Sequence, residues 1–514
     1  MKFWYPAAKF QKRRSALWEL QSDGSEAESV LNCRVFLLSI QKGEYMSSTQ
    51  SLYRNEESSA DRLCERILNK QAKVGIIGLG YVGLPLALAF AENGFSTTGF
   101  DVDDAKVQSL QQGASYIGHI PDALIIKQIE QKRFQPTGYF AKLREMDVVV
   151  VCVPTPLDAH REPDLSFIRD TAEAISVVLR PGQLVVLEST TYPGTTEEVM
   201  LPILERSELK CPPAAYSVIG NEVQNESEVE SDFFLAFSPE REDPGNKQTE
   251  RSMIPKVVGG VNGTSARAAQ ALYAQVFHVT VLVSGSRVAE MTKILENTYR
   301  CVNIALVNEL KLLCMRAGIN LWEVIEAAKT KPFGFNAFYP GPGLGGHCIP
   351  VDPFYLSWKA KEFEFTTRFI ELAGEINTAM PDHVVEGVAA ALDQRGKPLS
   401  RSRILILGVA YKRDVDDTRE SPALRIIDIL QKRGATVEYN DPHVPYLAKM
   451  RKYDLRLTSV PLSSDSLKQF DCVLIVTDHS SYDYSWIVKE SLLVIDTRNA
   501  TGKVREGRDK IVHL

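Results

Sequence analysis

Lys73-Val-Gly-Ile-Ile-Gly78-Leu-Gly80-Tyr-Val-Gly83, continued by Leu84-Pro-Leu-Ala-Leu-Ala-Phe-Ala-Glu92 and Ser96-Thr-Thr-Gly-Phe-Asp101, decides the fold. The first apolar run is short enough for a buried strand, the second has helical character, and the third is another strand. Together they form a βαβ unit with G-x-G-x-x-G at the first turn. Gly78 permits the tight turn, Gly80 lets backbone approach a pyrophosphate, and Gly83 allows close helix–strand packing, with Tyr81 and Val82 completing the loop. The helix N-terminus adds amide donors and a favourable dipole. Asp101 lies 101 − 83 = 18 residues past the last glycine, where an acid binds the adenosine ribose. An acid there favours NAD over NADP, because a 2′-phosphate would be repelled. Lys106 is placed to contact the adenosine side.

The chain has 514 residues, enough for two or three domains with sizeable cores. A net charge of −6 without a basic stripe gives no pull toward nucleic acid. Eight cysteines are scattered with no C-x-x-C pair, which argues against a zinc cluster or disulfide framework and for a reducing compartment. No metal site is expected. No apolar run reaches the roughly 18–20 residues that span a bilayer. A cytoplasmic enzyme that does not insert in membranes is the expectation. Residues 1–70 differ from the rest. Lys12-Arg13-Arg14 is followed by no apolar core, and Asn55-Glu-Glu-Ser-Ser59 is polar. This stretch is expected to be a flexible extension, dispensable before Met46.

The α/β pattern continues through residue 284. Asp147–Val153 is a buried strand stopped by Pro154-Thr155-Pro156. Leu184–Thr190 runs into a Thr/Pro/Gly turn, and Phe234–Arg241 brings Glu240 to a third strand end. In doubly wound sheets this edge holds ligands. Cys211–Asp232 reads as an irregular acidic insertion, and strands near Lys256–Val261 and His278–Val283 close the domain of residues 71–284.

Residues 287–317 read as one helix ending at Gly318, opening a central helical domain over 285–395. Ile294, Leu295, Val302, Leu306, Leu310 and Leu313 form an apolar stripe, and Lys293, Asn297 and Arg300 share another face. Such a helix serves as a spine and a dimer contact. Then comes Phe338-Tyr-Pro-Gly-Pro-Gly-Leu-Gly-Gly-His-Cys-Ile-Pro-Val-Asp-Pro353, too rich in Gly and Pro for a helix or central strand. Alone, it fits either a rigid turn with an inert cysteine or a loop presenting the Cys348 thiol. Helices over 353–363 and 368–393 follow. Residues 396–514 begin a second Rossmann-like unit at Ile404–Gly408. It lacks G-x-G-x-x-G but carries Lys412, Arg413 and Arg419 just past its first strand, suited to another ligand's phosphates.

An NAD fold combined with a loop cysteine suggests more than alcohol oxidation. A thiolate captures an aldehyde as a hemithioacetal, which gives up a second hydride and becomes a thioester that water hydrolyses. The thiol needs a nearby cation or base. Lys293 can serve, and with Asp352 can orient water and stabilise oxyanions.

Gly78–Gly83 with Asp101, Ser238-Pro-Glu-Arg241, Lys293-Ile-Leu-Glu-Asn297, Gly345-Gly-His-Cys-Ile-Pro-Val-Asp352, and Gly408-Val-Ala-Tyr-Lys-Arg-Asp with Asp417-Thr-Arg-Glu-Ser421 follow one another in the order and spacing of a known family. Over about 73–510 the chain resembles the UDP-glucose/GDP-mannose dehydrogenases. The resemblance implies two Rossmann-like doubly wound domains joined by a long central helix, NAD as cofactor, and a homodimer or higher homo-oligomer. The reaction it implies is four-electron oxidation of the sugar C6 alcohol to a carboxylate. Cys348 then resembles the nucleophile, Lys293, Asn297 and Asp352 the groups that hold water and polarise the C6 oxygen, Glu240 the acid assisting thioester hydrolysis, and Thr190 a residue lining the C6 site. Thr155 and Arg419 join the cofactor site, while Arg241, Arg300, Tyr339, Gly345 and Lys412 are expected at the nucleotide sugar. Lys331–Gly343 looks like the branch acting on UDP-N-acetylhexosamines, chiefly UDP-N-acetylglucosamine, with UDP-N-acetylmannosamine, UDP-N-acetylgalactosamine and UDP-glucose as alternatives. Pro244 stands where the UDP-glucose branch has a second acid. Such products feed surface polysaccharide synthesis. A two-electron dehydrogenase with a structural Cys348, or a non-catalytic NAD-sensing scaffold, are the readings to be excluded.

Overall fold

The computed structural model describes residues 58–514 apart from 119, 159–161, 215, 220–221, 226–229, 242–250, 347–348 and 451. Eight strands build the first sheet: β1 Lys73–Ile77, β2 Ser96–Phe100, β3 Phe134–Thr137, β4 Val148–Val151, β5 Leu184–Leu187, β6 Phe234–Phe237, β7 Lys256–Gly260 and β8 Thr280–Leu282. Their order is β8-β7-β6-β5-β4-β1-β2-β3. Pairing is parallel except between β6 and β7. β4, β5 and β6 are continuous apolar runs buried throughout, as strands with helices on both faces must be. The chain reverses direction across the sheet between β1 and β4, which puts a ligand crevice at their C-terminal ends.

Two segments depart from the sequence reading. Ser59–Leu68 (α1) was placed in the flexible extension, yet it is an amphipathic helix capped by Ser58. Ala60, Leu63 and Ile67 are buried in the core under the first sheet. Arg66 clamps Asp147 with two bonds, at 2.8 and 2.6 Å. Residues 1–57 and the Met46 expectation lie outside the described residues. Within the insertion expected to be irregular, residues 216–219 pair antiparallel with 222–225 as a hairpin.

Gly83–Glu92 (α2) and Gly263–Tyr273 (α3) cover the first sheet, and Ser286–Ala317 (α4) leaves it as a 32-residue helix. α4 stops where Gly318 adopts a left-handed conformation, φ +67°. Leu321–Lys329 (α5), Asp352–Ala360 (α6) and Arg368–Asp393 (α7) complete the central part. Ile294 of the apolar stripe is buried, whereas Leu295, Leu306 and Leu313 stand on the surface of α4.

The second sheet is wholly parallel, with β9 Arg403–Leu407, β10 Thr436–Asn440, β11 Cys472–Ile475, β12 Val494–Asp496 and β13 Ile511–His513 in the order β10-β9-β11-β12-β13. Pro422–Lys432 (α8) packs on it. The fold is thus two Rossmann-like units joined by a long helix. Among the described residues, no helix is long and apolar enough to cross a membrane.

Candidate active site

The dinucleotide loop leaves β1 at Gly78, whose φ is +89° and whose Cβ would lie 2.5 Å from the Cys152 carbonyl oxygen. A Cβ on Gly83 would meet the Gly78 carbonyl oxygen at 1.9 Å, so α2 starts against the loop itself. Around Gly80, by contrast, a Cβ would meet nothing within 4 Å. That open space beside the N-terminus of α2 is what a pyrophosphate requires, so the loop fits NAD. Asp101 accepts a bond from Leu79 N at 2.8 Å, and Lys106 Nζ is 3.6 Å from its carboxylate. Val82 sits at the helix cap. Tyr81 carries the Arg419 guanidinium 4.5 Å above its ring. Arg419 therefore reaches the first unit's loop from the second unit, held by bonds to Asp417 of 3.0 and 2.7 Å.

The C-terminal edge of the first sheet faces α4 and α6. Lys293 and Asn297 lie one turn apart on α4. Lys293 Nζ donates to the Glu240 main-chain oxygen at 2.6 Å, and Asn297 Nδ2 donates to Asp352 Oδ2 at 2.5 Å. Asp352 opens α6 and is almost wholly buried. Burial pushes its pKa up to about 7 against the opposing pull of Lys293 and the Asn297 bond. A buried acid poised near neutrality beside a lysine can exchange protons and orient water. Thr155 lies at the same edge, its carbonyl accepting from Tyr355 OH of α6 at 2.8 Å. Thr190 is half-buried at the end of the β5 strand run.

Cys348 and His347 lie outside the described residues. The loop approaching them is closely fitted to the second unit. Gly345 has no room for a Cβ beside Tyr411, at 2.7 Å, and Gly346 N donates to Arg419 O at 3.0 Å. Farther upstream, Gly341 N donates to Asn308 Oδ1, and Asn308 Nδ2 donates to Asn377 Oδ1, both at 2.9 Å. Ile349, past the cysteine, packs on Cys301, Ala305 and Ala373. Lys412 is half-buried in the loop after β9.

The remaining expected substrate contacts separate from this group. Arg241 is engaged by Glu296 at 2.5 Å and by the Pro255 carbonyl at 2.9 Å, so it ties the β6 end to α4. Arg300 is exposed. Tyr339 stacks on Trp322 with centroids 5.6 Å apart and donates to Glu326 at 2.6 Å. Sequence reasoning missed the Asn308–Asn377 link and a buried ion group around Glu188 and Lys256. β5 stops at Leu187, short of the expected Thr190, and Glu188 follows it directly; a lone acid behind a valine-rich run gives no sign of its partner on another strand.

The UDP-glucose/GDP-mannose dehydrogenase NAD-binding, central and UDP-binding domain models match residues 72–277, 287–379 and 405–503. The chain is similar to a UDP-N-acetyl-D-glucosamine 6-dehydrogenase of Pseudomonas aeruginosa, 34% identical over 80% of this chain and 92% of the relative. It is similar to a UDP-N-acetyl-D-mannosamine dehydrogenase of Methanococcus maripaludis, 33% identical over 80% and 87%. A solved UDP-D-ManNAc dehydrogenase from Pyrococcus horikoshii superimposes with a TM-score of 0.73 at 31% identity, covering 86% of this chain and 98% of that one. With three domain models in chain order over the fold that holds Lys293, Asn297 and Asp352 together, the chain belongs to the UDP-glucose/GDP-mannose dehydrogenase family.

Proposed function

We propose that this protein is an NAD-dependent UDP-sugar 6-dehydrogenase that oxidises the C6 alcohol of UDP-N-acetylglucosamine to the uronic acid. The observation that carries this reading is the Lys293–Asn297–Asp352 group at the C-terminal edge of the first sheet, in which Asp352 is buried and lies four residues from Cys348 in sequence. Bound NAD supplies the hydride acceptor for both oxidations. Lys293 and Asn297 hold the C6 oxygen, and Asp352 takes and returns its proton. The Cys348 sulfur adds to the resulting aldehyde carbon. The hemithioacetal loses a hydride to become a thioester, and water cleaves the C–S bond, returning the thiol and releasing the carboxylate. Alcohol, water and two NAD+ thus give carboxylate, two NADH and three protons.

The relatives named for glucosamine and mannosamine substrates, at 34% and 33% identity, support a substrate among the UDP-N-acetylhexosamines. The exposed Leu295, Leu306 and Leu313 of α4 support a homodimer along that helix. The deciding experiment measures NADH formed per sugar with UDP-N-acetylglucosamine, UDP-N-acetylmannosamine, UDP-N-acetylgalactosamine, UDP-glucose and GDP-mannose. Two NADH per UDP-N-acetylglucosamine, with net acid formation lost in Cys348→Ser, is the expected result. A ratio of one contradicts the covalent route, and preference for another sugar moves the substrate assignment.

A further inference from the structure

The floor of the site holds a group of charges, two of them, Lys256 and Glu188, sealed from water. Lys256, at the start of β7, has its Nζ 3.1 Å from Glu188 Oε1 and 3.5 Å from Glu240 Oε2. The Glu188 and Lys256 side chains are 0% and 3% exposed. Arg251 lies 3.7 Å from the same Glu240 oxygen, and Tyr273 of α3 donates to Glu188 Oε1. Among the described residues Cys152, past β4, is a further titratable group that feels this cluster, and Lys293 of α4 meets Glu240 through its main-chain oxygen. Burial pushes Glu188 up. Burial also lowers Lys256, but the two carboxylates outweigh it and the net shift is upward.

This arrangement is a poor device for stability. A buried ion pair gains little over apolar residues of the same size, and Glu188 Oε2 has no hydrogen-bond partner among the described residues. Its geometry instead makes two carboxylates compete for one ammonium. Glu188 is sealed in, whereas Glu240 stands at the strand end that holds Lys293.

We propose that Lys256 is a positioning residue that sets the charge and direction of the Glu240 carboxylate, with Glu188 as the counterweight that keeps this hold partial. The inference rests on the reading of the site as a dehydrogenase centre, in which Glu240 is the acid assisting thioester hydrolysis.

Opposite signs test it. Lys256→Met removes a cation from Glu240, so the limb of the pH–kcat profile set by thioester hydrolysis, distinct from the Asp352 limb, moves upward by about 1–3 units. Activity at pH 6 then falls at least about tenfold more than activity at pH 9. Glu188→Gln leaves Lys256 wholly to Glu240 and moves the limb downward, while Lys256→Arg keeps it near the wild type. The same opposed displacements appear without turnover in melting temperature against pH, and disappear in a Glu240→Gln background. A merely structural role lowers activity and melting temperature in both variants with no limb movement, and that result overturns the proposal. Should Lys256→Met not fold, the downward shift in Glu188→Gln decides alone. Should the wild type oxidise no nucleotide sugar, the functional reading fails while the melting curves still judge the Lys256 linkage.

Discussion

The two Rossmann-like units solve the same turn with the same two residues and then diverge. Gly78 and Gly408 each end a first strand with φ near +85°, at +89° and +80°. Each lies too close to a neighbouring strand end to carry a Cβ, 2.5 Å from Cys152 O and 2.4 Å from Thr477 O. Each following loop hands an amide to the aspartate that ends the second strand. Leu79 N donates to Asp101 at 2.8 Å, and Val409 N donates to Asp441 at 2.7 Å. In the first unit α2 then begins at once, leaving its N-terminus and the open side of Gly80 to a pyrophosphate. In the second, α8 is delayed to Pro422, and the intervening loop carries Lys412, Arg413 and Arg419. The aspartate changes with it. Asp101 keeps an edge toward Lys106, whereas Asp441 is sealed by His479 and four backbone amides. One scaffold therefore serves dinucleotide binding through backbone dipoles and the other presents side-chain cations.

The sharpest break of this comparison lies in the glycines. Gly83→Ala puts a methyl 1.9 Å from a carbonyl oxygen that cannot yield. It is expected to cost several kcal/mol, roughly at or beyond the upper end of overpacking, seen as a large fall in urea midpoint with loss of NAD binding. Gly80→Ala meets open space, so its melting temperature should match the wild type while its NAD Kd rises at least about tenfold. Gly408→Ala should destabilise without changing NAD Kd measured at a temperature where it is folded. Equal loss of stability in Gly80→Ala and Gly83→Ala would dissolve the distinction between the open and the packed glycine.

The aspartates give the next largest effect. Burial opposes ionisation of Asp441, but the His479 bond and the amides win, and its pKa is lowered. Its stabilisation is therefore present above the ordinary carboxyl range and lost as pH falls through it. Asp441→Asn leaves His479 without its acceptor charge and should cost about 3–5 kcal/mol by denaturant titration at pH 7. Asp101→Asn should cost about 1 kcal/mol and appear chiefly as a weaker preference for NAD over NADP. If Asp101→Asn proves the more destabilising, the two acids do not differ as the bonding implies.

Asp352, between the units, reverses the sign. Its pKa is raised from 3.8 to about 7, so the folded protein keeps a proton that the unfolded chain releases. Stability is full below 3.8, declines by about 1.4 kcal/mol per pH unit across that window, and is lowest above 7. Asp352→Asn keeps an acceptor for Asn297 and removes the charge. It should flatten the stability profile between pH 4 and 7 and raise the melting temperature at pH 8, with turnover lost. A variant no more stable than the wild type at pH 8 would show that solvent reaches Asp352.

Local chemistry made most of this legible. G-x-G-x-x-G before a helix, valine runs for parallel strands, and Gly318 after a 32-residue helix each state their structure within a few residues. The pairing of Lys293 and Asn297 on one face followed from helical spacing. Contacts made across sequence were not legible. Lys256 and Glu188 are 68 residues apart by number and meet only because β5, β6 and β7 are neighbours. Asp441 gave no sign of its equivalence to Asp101, because the motif that announces such an acid is missing after Gly408. Arg300 fell on the expected face but at the surface, since α4 extends past the elements that cover Lys293. Ser59–Leu68 was lost to its polar flank: Ala60, Leu63 and Ile67 are three apolar residues too few and too spaced to stand out before the sheet they cover is known.

The smallest effect probes where the two units touch. Arg419 is the cation of the second loop that crosses to the first, lying over Tyr81 while Asp417 orients its fork. A half-exposed cation–π contact contributes about 0.5–1 kcal/mol and the pair with Asp417 up to about 1 kcal/mol more, so Arg419→Ala should lower stability by about 1–2 kcal/mol. Its larger consequence should be on the cofactor, because Tyr81 sits between Gly80 and Gly83 and its ring position sets the loop's outer wall. A few-fold rise in KM for NAD, with KM for the nucleotide sugar nearly unchanged, is expected. Tyr81→Phe keeps the ring face that meets the guanidinium, so the effect of Arg419→Ala on KM for NAD should be the same in that background. If Arg419→Ala instead weakens the nucleotide sugar and spares NAD, the cations of the second loop all act on their own unit's ligand, and the contact with Tyr81 is incidental to it.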